Sequence, residues 1–185
     1  RGVSRLFGIE LMENFRQPYM SRNITEFWRR WHISLSRWFR DYLYIPLGGN
    51  RKGSARTYVY LMLTMLIGGL WHGASWTFVV WGGLHGLYLA VERFLQGRFA
   101  GAAIAKTWLY RVWLALVTYL LVNLTWVFFR APDFATAWRM ITSMFGFAPE
   151  EAGTPLPTLW IIQVAVTITA MVAIHWRMRD TSIEA

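Results

Sequence analysis

Residues 57–91 read TYVYLMLTMLIGGLWHGASWTFVVWGGLHGLYLAV, 35 residues without a charged side chain. Soluble domains seldom pool apolar residues in uncharged runs of this length. A helix needs about 20 apolar residues to cross a bilayer, so the stretch is too long for one straight span and slightly short for two. Gly68-Gly69 and Gly73 lie near its middle, where glycine permits a break in the backbone. The stretch therefore predicts a broken, re-entrant membrane hairpin with His72 at the break.

Two further uncharged runs extend this membrane pattern. They cover residues 112–129 and 152–176, and two prolines interrupt the second run, which leaves 158–176 as its helical part. Each run is about as long as one span, so we predict an all-α integral membrane protein with several spans. Because the chain opens on Arg1 rather than Met and has no leader pattern, we expect residues 1–185 to be the C-terminal part of a single, longer membrane domain.

The basic residues are distributed in the way that sets membrane topology. Eleven of the 19 Lys and Arg residues fall in residues 1–56 and four more in 92–111, whereas 130–157 holds only two. Basic segments near spans stay cytoplasmic, so the first two segments are predicted to be cytoplasmic and the third extracytoplasmic. Topology and contact with anionic membrane lipids therefore explain the net charge of +9 better than binding to nucleic acid. The absence of cysteine excludes disulfides and thiolate chemistry.

The segment Ile24–Tyr44 carries the pattern of an amphipathic helix. Apolar side chains recur at helical spacing on one face: Phe27, Trp28, Trp31, Leu35, Trp38 and Tyr42. The arginines of the segment lie off that face, and His32 lies at its edge. Asn23 or Ser21 is placed to cap the helix, and Glu26 completes a capping box with Asn23. Trp on one side and Arg on the other predict an interfacial helix at the cytoplasmic membrane surface.

His72 is the first candidate for function, because an ionisable side chain is expensive to bury in an apolar membrane segment. The functional interpretation is a general base: a neutral imidazole that removes a proton from a hydroxyl or thiol as it attacks an acyl donor. The alternative is a structural histidine that is hydrogen-bonded across helices. His85, thirteen residues further on, is a candidate for a supporting role.

His32 and the arginines around it form a second candidate group. His32 is expected either to assist the chemistry or to be solvated at the interface. Arg29, Arg30 and Arg40 are candidates for binding a nucleotide or pantetheine phosphate, although the same charges also keep the segment cytoplasmic. No histidine or carboxylate pair has the spacing of metal ligands, so we predict no metal site.

Four motifs resemble those of the membrane-bound O-acyltransferase family. They are ENFRQPY at residues 13–19, TEFWRRWHISLS at 25–36, RDYLYIPLGGNR at 40–51 and GLWHGA at 69–74. The run IPLGGNR is most similar to the bacterial branch that O-acetylates alginate, other exopolysaccharides or peptidoglycan. The resemblance is close over residues 5–95, and later residues match only as apolar spans.

The resemblance implies a fold, a reaction and a site. The family fold is a ring of many spans around a thin centre, in which His72 matches the intramembrane catalytic histidine and His32 the second characteristic position. It implies a multi-pass O-acyltransferase of the bacterial inner membrane, with no bound cofactor. The enzyme would take an acetyl group from a cytoplasmic donor, acetyl-CoA or an acyl carrier, and pass it toward an extracytoplasmic polysaccharide.

The resemblance also implies partners: a periplasmic SGNH-type acetyltransferase or a polysaccharide-synthesis complex. The competing class is a non-enzymatic channel or exporter for acylated polysaccharide or its precursor, which would use the same membrane cavity without acyl chemistry.

Overall fold

A computed structural model describes residues 2–99, 107–147, 163, 166–170 and 173 of the 185-residue chain. The chain divides into two compact units, Arg1–Met144 and Phe145–Ala185. All regular structure in the described residues is helical, which confirms the predicted all-α class. In the second unit, residues 163, 166–170 and 173 are helical. The rest of the span predicted at 158–176, and His175 with it, lies outside the described residues.

In its described residues, the first unit has eight α-helices and two shorter turns of other helical types. In chain order the helices are α1 (Gly2–Leu6), α2 (Ile24–Arg30), α3 (Ile33–Phe39), α4 (Ile45–Leu47), α5 (Ser54–His72), α6 (Trp76–Phe99), α7 (Trp108–Arg130) and α8 (Phe134–Met144). A 3-10 turn covers Pro18–Met20, and a π-helical turn covers Arg40–Tyr44.

Helix α7 is long and apolar enough to cross a membrane, and no other helix among the described residues meets both conditions. It contains the span predicted at 112–129. Thr107 caps its first turn, because the side-chain oxygen accepts a hydrogen bond from the backbone N–H of Tyr110 (3.4 Å). Helix α8 lies in the segment predicted to be extracytoplasmic, and its Ala137 is buried against Val127.

The uncharged stretch 57–91 folds as two antiparallel helices, α5 and α6, joined by residues 73–75. Helix α5 ends at His72, and Gly73 is its C-cap. Gly68-Gly69, which the sequence suggested as part of the break, lies inside α5 instead. The prediction of a break at Gly68-Gly69 was wrong, because these glycines allow other parts of the protein to pack closely on α5.

Glycines bring the backbones of α5 and α6 into direct contact. A Cβ at Gly69 would collide with the backbone carbonyl oxygen of Phe78, and a Cβ at Gly82 would collide with that of Met65. Only glycine leaves room for such an approach. The position of His72, three residues after Gly69, is therefore fixed by a backbone-to-backbone contact.

The single amphipathic helix predicted over Ile24–Tyr44 is wrong, because the chain leaves the helical conformation between α2 and α3. His32 lies at this interruption with φ 43° and ψ 57°. This is the left-handed conformation, which few residues other than glycine and asparagine adopt readily. His32 is therefore displaced from the helix face on which the sequence pattern had placed it.

The preceding loop supplies the hydrogen bonds that replace the helical ones. The backbone N–H of Arg16 donates to the carbonyl of Arg30 (2.9 Å), and that of Ile33 donates to the carbonyl of Asn14 (2.9 Å). The Asn14 side-chain oxygen also accepts from the backbone N–H (2.9 Å) and the hydroxyl (2.6 Å) of Ser34. A helix can end in the middle of an amphipathic pattern when such partners satisfy its terminal groups.

The apolar face of α2 packs on protein rather than on lipid. Phe27 is 1% exposed and belongs to a buried cluster with Val122 of α7. The carboxylate of Glu92 on α6 accepts a hydrogen bond from the backbone N–H of Thr25 (3.0 Å), so the start of α2 is fixed against α6. Two apolar residues further along the segment are exposed, namely Trp38 and Tyr42. The interfacial position remains a prediction for α3 and the π-helical turn alone.

Candidate active site

His72 lies among aromatic rings at the end of α5. The centroid of its imidazole is 5.0 Å from those of Trp71 and Phe129, 5.1 Å from that of Trp81 and 6.2 Å from that of Phe78. The ring is half-buried. It has no hydrogen bond to any residue that the structure describes, so the bond across helices that a purely structural role would use is not seen there.

His72 lines a cavity of about 820 Å³ bounded by α2, α3, α5 and α6. Apolar and aromatic lining comes from Trp28, Ile33, Leu35, Phe39, Leu61, Met65, Trp81 and Leu89. The charged lining residues are Arg29, Arg37, Arg40, Arg93 and Glu92. Four guanidinium groups against one carboxylate make this cavity favourable for an anion, and its volume is within the range of small-molecule and cofactor sites.

The arginines of the cavity differ in how much of their hydrogen-bonding capacity is used. Arg40 donates from Nε to the Asp41 carboxylate (2.7 Å), and this bond lowers the pKa of Asp41. Arg93 donates to the side-chain oxygen of Asn50 (3.2 Å). Arg29 has no hydrogen bond or ion pair with any described residue. Since a guanidinium carries five N–H donors, all three retain donors for a ligand.

Arg30 is the one predicted phosphate contact that does not line the cavity. Its guanidinium donates to the Glu26 carboxylate (2.7 Å), which also accepts from the backbone N–H of Arg22 (2.9 Å). Burial raises the pKa of Glu26, but the Arg22 hydrogen bond and the charges on Arg30 and Arg22 together bring it below its usual value. The predicted cap is present, because the Asn23 side chain accepts from the Glu26 N–H (2.7 Å). The Glu26 carboxylate, however, accepts hydrogen bonds from Arg22 and Arg30 instead of from the backbone N–H of Asn23.

The π-helical turn carries a cavity residue at each end, Arg40 and Tyr44. Burial raises the pKa of Tyr44, although the charge on Arg93 acts in the opposite direction. The phenol therefore remains a hydrogen-bond donor, and it donates to Asn50 (2.6 Å). Turns of this type widen the helix by one residue and often occur at functional sites.

His32 lies beside the cavity without lining it. Its ring centroid is 5.8 Å from that of Phe15, and its buried Nδ1 has no partner among the described residues. It lies at the interruption between α2 and α3, and both of these helices line the cavity together with His72. The structure thus brings the two predicted histidines into one region, together with Arg29 and Arg40 and without Arg30.

Trp81 is a functional candidate that no pattern in the sequence singled out. It is 2% exposed and packs edge-on against His72 at a centroid distance of 5.1 Å and against His85 at 4.9 Å. Asn14 was missed as well, because its bond to Ser34 spans twenty residues. Trp81 lies in the same glycine-rich stretch as His85, at a spacing of four residues, which is the only local signal that relates the two.

Among the described residues, no group of three or more His, Cys, Asp or Glu side chains is placed to hold a metal ion. The groups that the cavity offers are imidazole, guanidinium and one carboxylate, with the hydroxyls and amides of its wall. Such a set suits proton transfer near a bound anion.

Comparison with known proteins extends this description. Residues 2–131 match the membrane-bound O-acyltransferase family. The chain is 54% identical over 147 residues to a probable alginate O-acetylase of Azotobacter vinelandii, over 79% of this chain and 28% of that protein. It is 47% identical over 145 residues to a peptidoglycan O-acetyltransferase of Helicobacter pylori, over 78% of this chain and 27% of that protein.

A more distant relative is named for the transfer of a different acyl group, D-alanyl. The chain is 35% identical over 103 residues to a teichoic acid D-alanyltransferase of Bacillus subtilis, over 51% of this chain and 26% of that protein. The chain thus spans little more than a quarter of the length of these relatives. The match to the family covers more than two thirds of the chain and includes every residue of the cavity. The chain belongs to the membrane-bound O-acyltransferase family.

Proposed function

We propose that the chain is the histidine-bearing part of a membrane O-acyltransferase. The enzyme moves an acetyl group from a cytoplasmic donor toward an extracytoplasmic polysaccharide, and His72 is the general base. The observation that carries the proposal is the position of His72 in the wall of a cavity whose other charged groups are four arginines and one glutamate.

The reaction requires one base and one oriented thioester. The acceptor hydroxyl loses its proton to a ring nitrogen of His72 as its oxygen forms a bond to the acyl carbon. The carbon–sulfur bond of the donor then breaks, and the thiolate takes up a proton from the imidazolium, which returns His72 to its neutral form. General-base catalysis of this kind contributes about 10²–10⁴-fold to a rate. We assign to His32, at the interruption between α2 and α3, the role of orienting the donor or relaying a proton.

The arginines supply the donor site. We assign phosphate binding to Arg29 and Arg40, which line the cavity with His72, and the donor is acetyl-CoA or an acyl carrier with a phosphopantetheine arm. A guanidinium binds phosphate through parallel hydrogen bonds, which orient a long donor as well as attract it. The guanidinium of Arg30 donates to Glu26, so we do not assign phosphate binding to Arg30.

The topology follows the distribution of charge. Residues 1–56, with eleven basic residues, face the cytoplasm in a multi-pass protein of the bacterial inner membrane, so the arginine-lined cavity faces the donor. The hairpin of α5 and α6 then lies within the membrane and presents His72 toward the acceptor side. Two relatives are named as an alginate O-acetylase and a peptidoglycan O-acetyltransferase, which supports a polysaccharide acceptor. The partner that we propose, a periplasmic SGNH-type acetyltransferase or a polysaccharide-synthesis complex, is the one that the family resemblance implies.

The test is a His72→Gln variant in the full-length protein. We expect the acetyl content of the exported polysaccharide, measured by proton NMR, to fall by about 10²-fold or more at unchanged membrane abundance. Arg56→Gln removes an exposed arginine that does not line the cavity and serves as the control. Unchanged acetyl content in His72→Gln would contradict the base assignment. A loss of exported polymer with normal acetylation of what remains would instead favour the exporter.

A further inference from the structure

His85 is a buried polar residue for which the proposed reaction has no use. Its side chain is completely buried on α6. The imidazole stacks on Phe27 at a centroid distance of 6.1 Å and an interplanar angle of 9°, and the edge of Trp28 approaches it at 5.1 Å. A residue that bears two polar nitrogens is costly to place in such an aromatic core unless both nitrogens are hydrogen-bonded.

One hydrogen bond fixes both the tautomer and the orientation of this ring. The hydroxyl of Thr125 on α7 lies 3.0 Å from His85 Nε2 and donates its proton to the carbonyl of Val122 (2.7 Å). Since a hydroxyl has one proton to donate, Nε2 must carry the hydrogen and donate to Thr125. Nδ1 is then a bare acceptor, and it is buried with no partner among the described residues.

The ring of Trp81 connects the imidazole of His85 to that of His72. Trp81 packs edge-on against both imidazoles, at 4.9 Å from His85 and 5.1 Å from His72, with interplanar angles of 68° and 87°. Trp81 also contacts Phe129 of α7 at 5.4 Å, and it is almost completely buried, so it has little freedom to move on its own. A shift of the His85 ring is therefore transmitted through Trp81 to His72.

We propose that His85 is a positioning residue for His72. Anchored to Thr125, it holds Trp81 against the imidazole of His72 and thereby sets the direction of the reactive nitrogen. This inference rests on the proposed function, in which His72 is the base. It assigns to Thr125, a residue that does not line the cavity, an effect on the rate of acyl transfer but not on donor binding.

The test uses Thr125→Val, which keeps the volume of the side chain and removes the acceptor of the His85 bond. Thr118→Val is the matched control, because Thr118 is another buried threonine of α7. Thr125→Ser, which retains a hydroxyl, tests for rescue. The assay uses membrane vesicles that carry the full-length protein, with radiolabelled acetyl-CoA as the donor probe. A second measurement follows the modification of His72 by diethyl pyrocarbonate, by peptide mass spectrometry.

We expect Thr125→Val to lower kcat about tenfold, the effect of one lost hydrogen bond, with KM for acetyl-CoA unchanged. Thr125→Ser should restore kcat, and the modification rate of His72 should change in Thr125→Val more than in Thr118→Val. Equal kcat and equal His72 modification in the two valine variants would overturn the inference while leaving the proposed function intact. A fully active His72→Gln variant is the separate result that overturns the proposed function and, with it, this inference.

Discussion

Gly69 and Gly82 meet where α5 crosses α6, and a Cβ on Gly82 would lie 3.3 Å from the Cα of Gly69. The crossing point is thus set by backbone atoms, which cannot rearrange as side chains do. Because α5 ends at His72 and Trp81 directly precedes Gly82, this contact sets the distance between the imidazole and the ring that supports it.

Gly69→Ala is expected to separate the two helices. The added methyl group would collide with the carbonyl oxygen of Phe78, so the free energy of unfolding should fall by about 1–3 kcal/mol. Thermal unfolding of the purified protein in detergent measures the effect. Gly97→Ala is the control, because a Cβ at Gly97 on α6 meets no described residue within 4 Å. That substitution should stabilise by about 0.5–1 kcal/mol through helix propensity, and equal destabilisation by both variants would refute the packing argument.

Arg29→Gln and Arg40→Gln are expected to weaken donor binding. Each should raise KM for acetyl-CoA by about tenfold, because a charge-assisted hydrogen bond contributes roughly 1.5–3 kcal/mol, and should leave kcat nearly unchanged. Initial rates over a range of acetyl-CoA concentrations separate the two constants. Arg56→Gln, outside the cavity lining, should leave both at their wild-type values. A fall in kcat at constant KM would place these arginines in the chemical step instead.

Asn14→Ala is expected to loosen the interruption that holds His32. The Asn14 side chain accepts two hydrogen bonds from Ser34 at the start of α3, and the loss of such a cap costs about 0.5–2 kcal/mol. Thermal unfolding and the acyl-transfer rate should both fall. Asn123→Ala is the matched control, because Asn123 donates only to the carbonyl of Tyr119 in its own helix. Equal unfolding temperatures for the two alanine variants would contradict the role assigned to Asn14.

The lowered pKa of Glu26 predicts that the folded protein loses stability in acid. Its pKa is lowered in the folded state, because the Arg22 hydrogen bond and the arginine charges outweigh the effect of burial. The ionised carboxylate therefore stabilises the fold above the ordinary glutamate pKa of about 4.3, and this contribution is lost as the pH falls through the lower, folded-state value.

The measurement is the difference in unfolding temperature between neutral pH and about pH 3.5, in wild type and in Glu26→Gln. The variant should be less stable at neutral pH and should lose less stability on acidification. Glu13→Gln removes an exposed ion pair with Arg16 and is expected to change neither quantity measurably. If Glu26→Gln lost as much stability in acid as wild type, the sign derived for this carboxylate would be incorrect.

Local patterns in the sequence predicted the all-helical class and drew attention to His72, because long uncharged runs and a glycine after a histidine are features of the chain itself. They did not predict the interruption at His32, since its hydrogen bonds come from Asn14 and Arg16, far away in sequence. The pair Gly68-Gly69 of α5 was misread for a related reason. Whether a glycine breaks a helix or admits a neighbouring backbone depends on what lies opposite it, which a single sequence does not state.

Helical spacing in the sequence also did not predict the relation between His72 and His85. On an unbroken helix, thirteen residues would turn the two side chains far apart, and the turn at residues 73–75 leaves both against Trp81 instead. The arginines show a similar limit. Arg29 and Arg30 are adjacent in sequence, yet Arg29 lines the cavity and Arg30 does not. Arg30 pairs instead with the carboxylate of Glu26, which lies one helical turn earlier.

The π-helical turn at Arg40–Tyr44 gives one wall of the cavity a tolerance for a change in chain length. Such a turn holds one residue more than the α-helix it interrupts, so it acts as a built-in insertion. Removing one residue from the turn would let it close as regular α-helix and leave the helical segments on either side close to their present alignment. Removing one residue from α3 itself, where there is no extra residue to lose, would rotate everything after the deletion by about 100° relative to everything before it. The same one-residue deletion therefore has a small effect in the turn and a large effect one helical turn earlier.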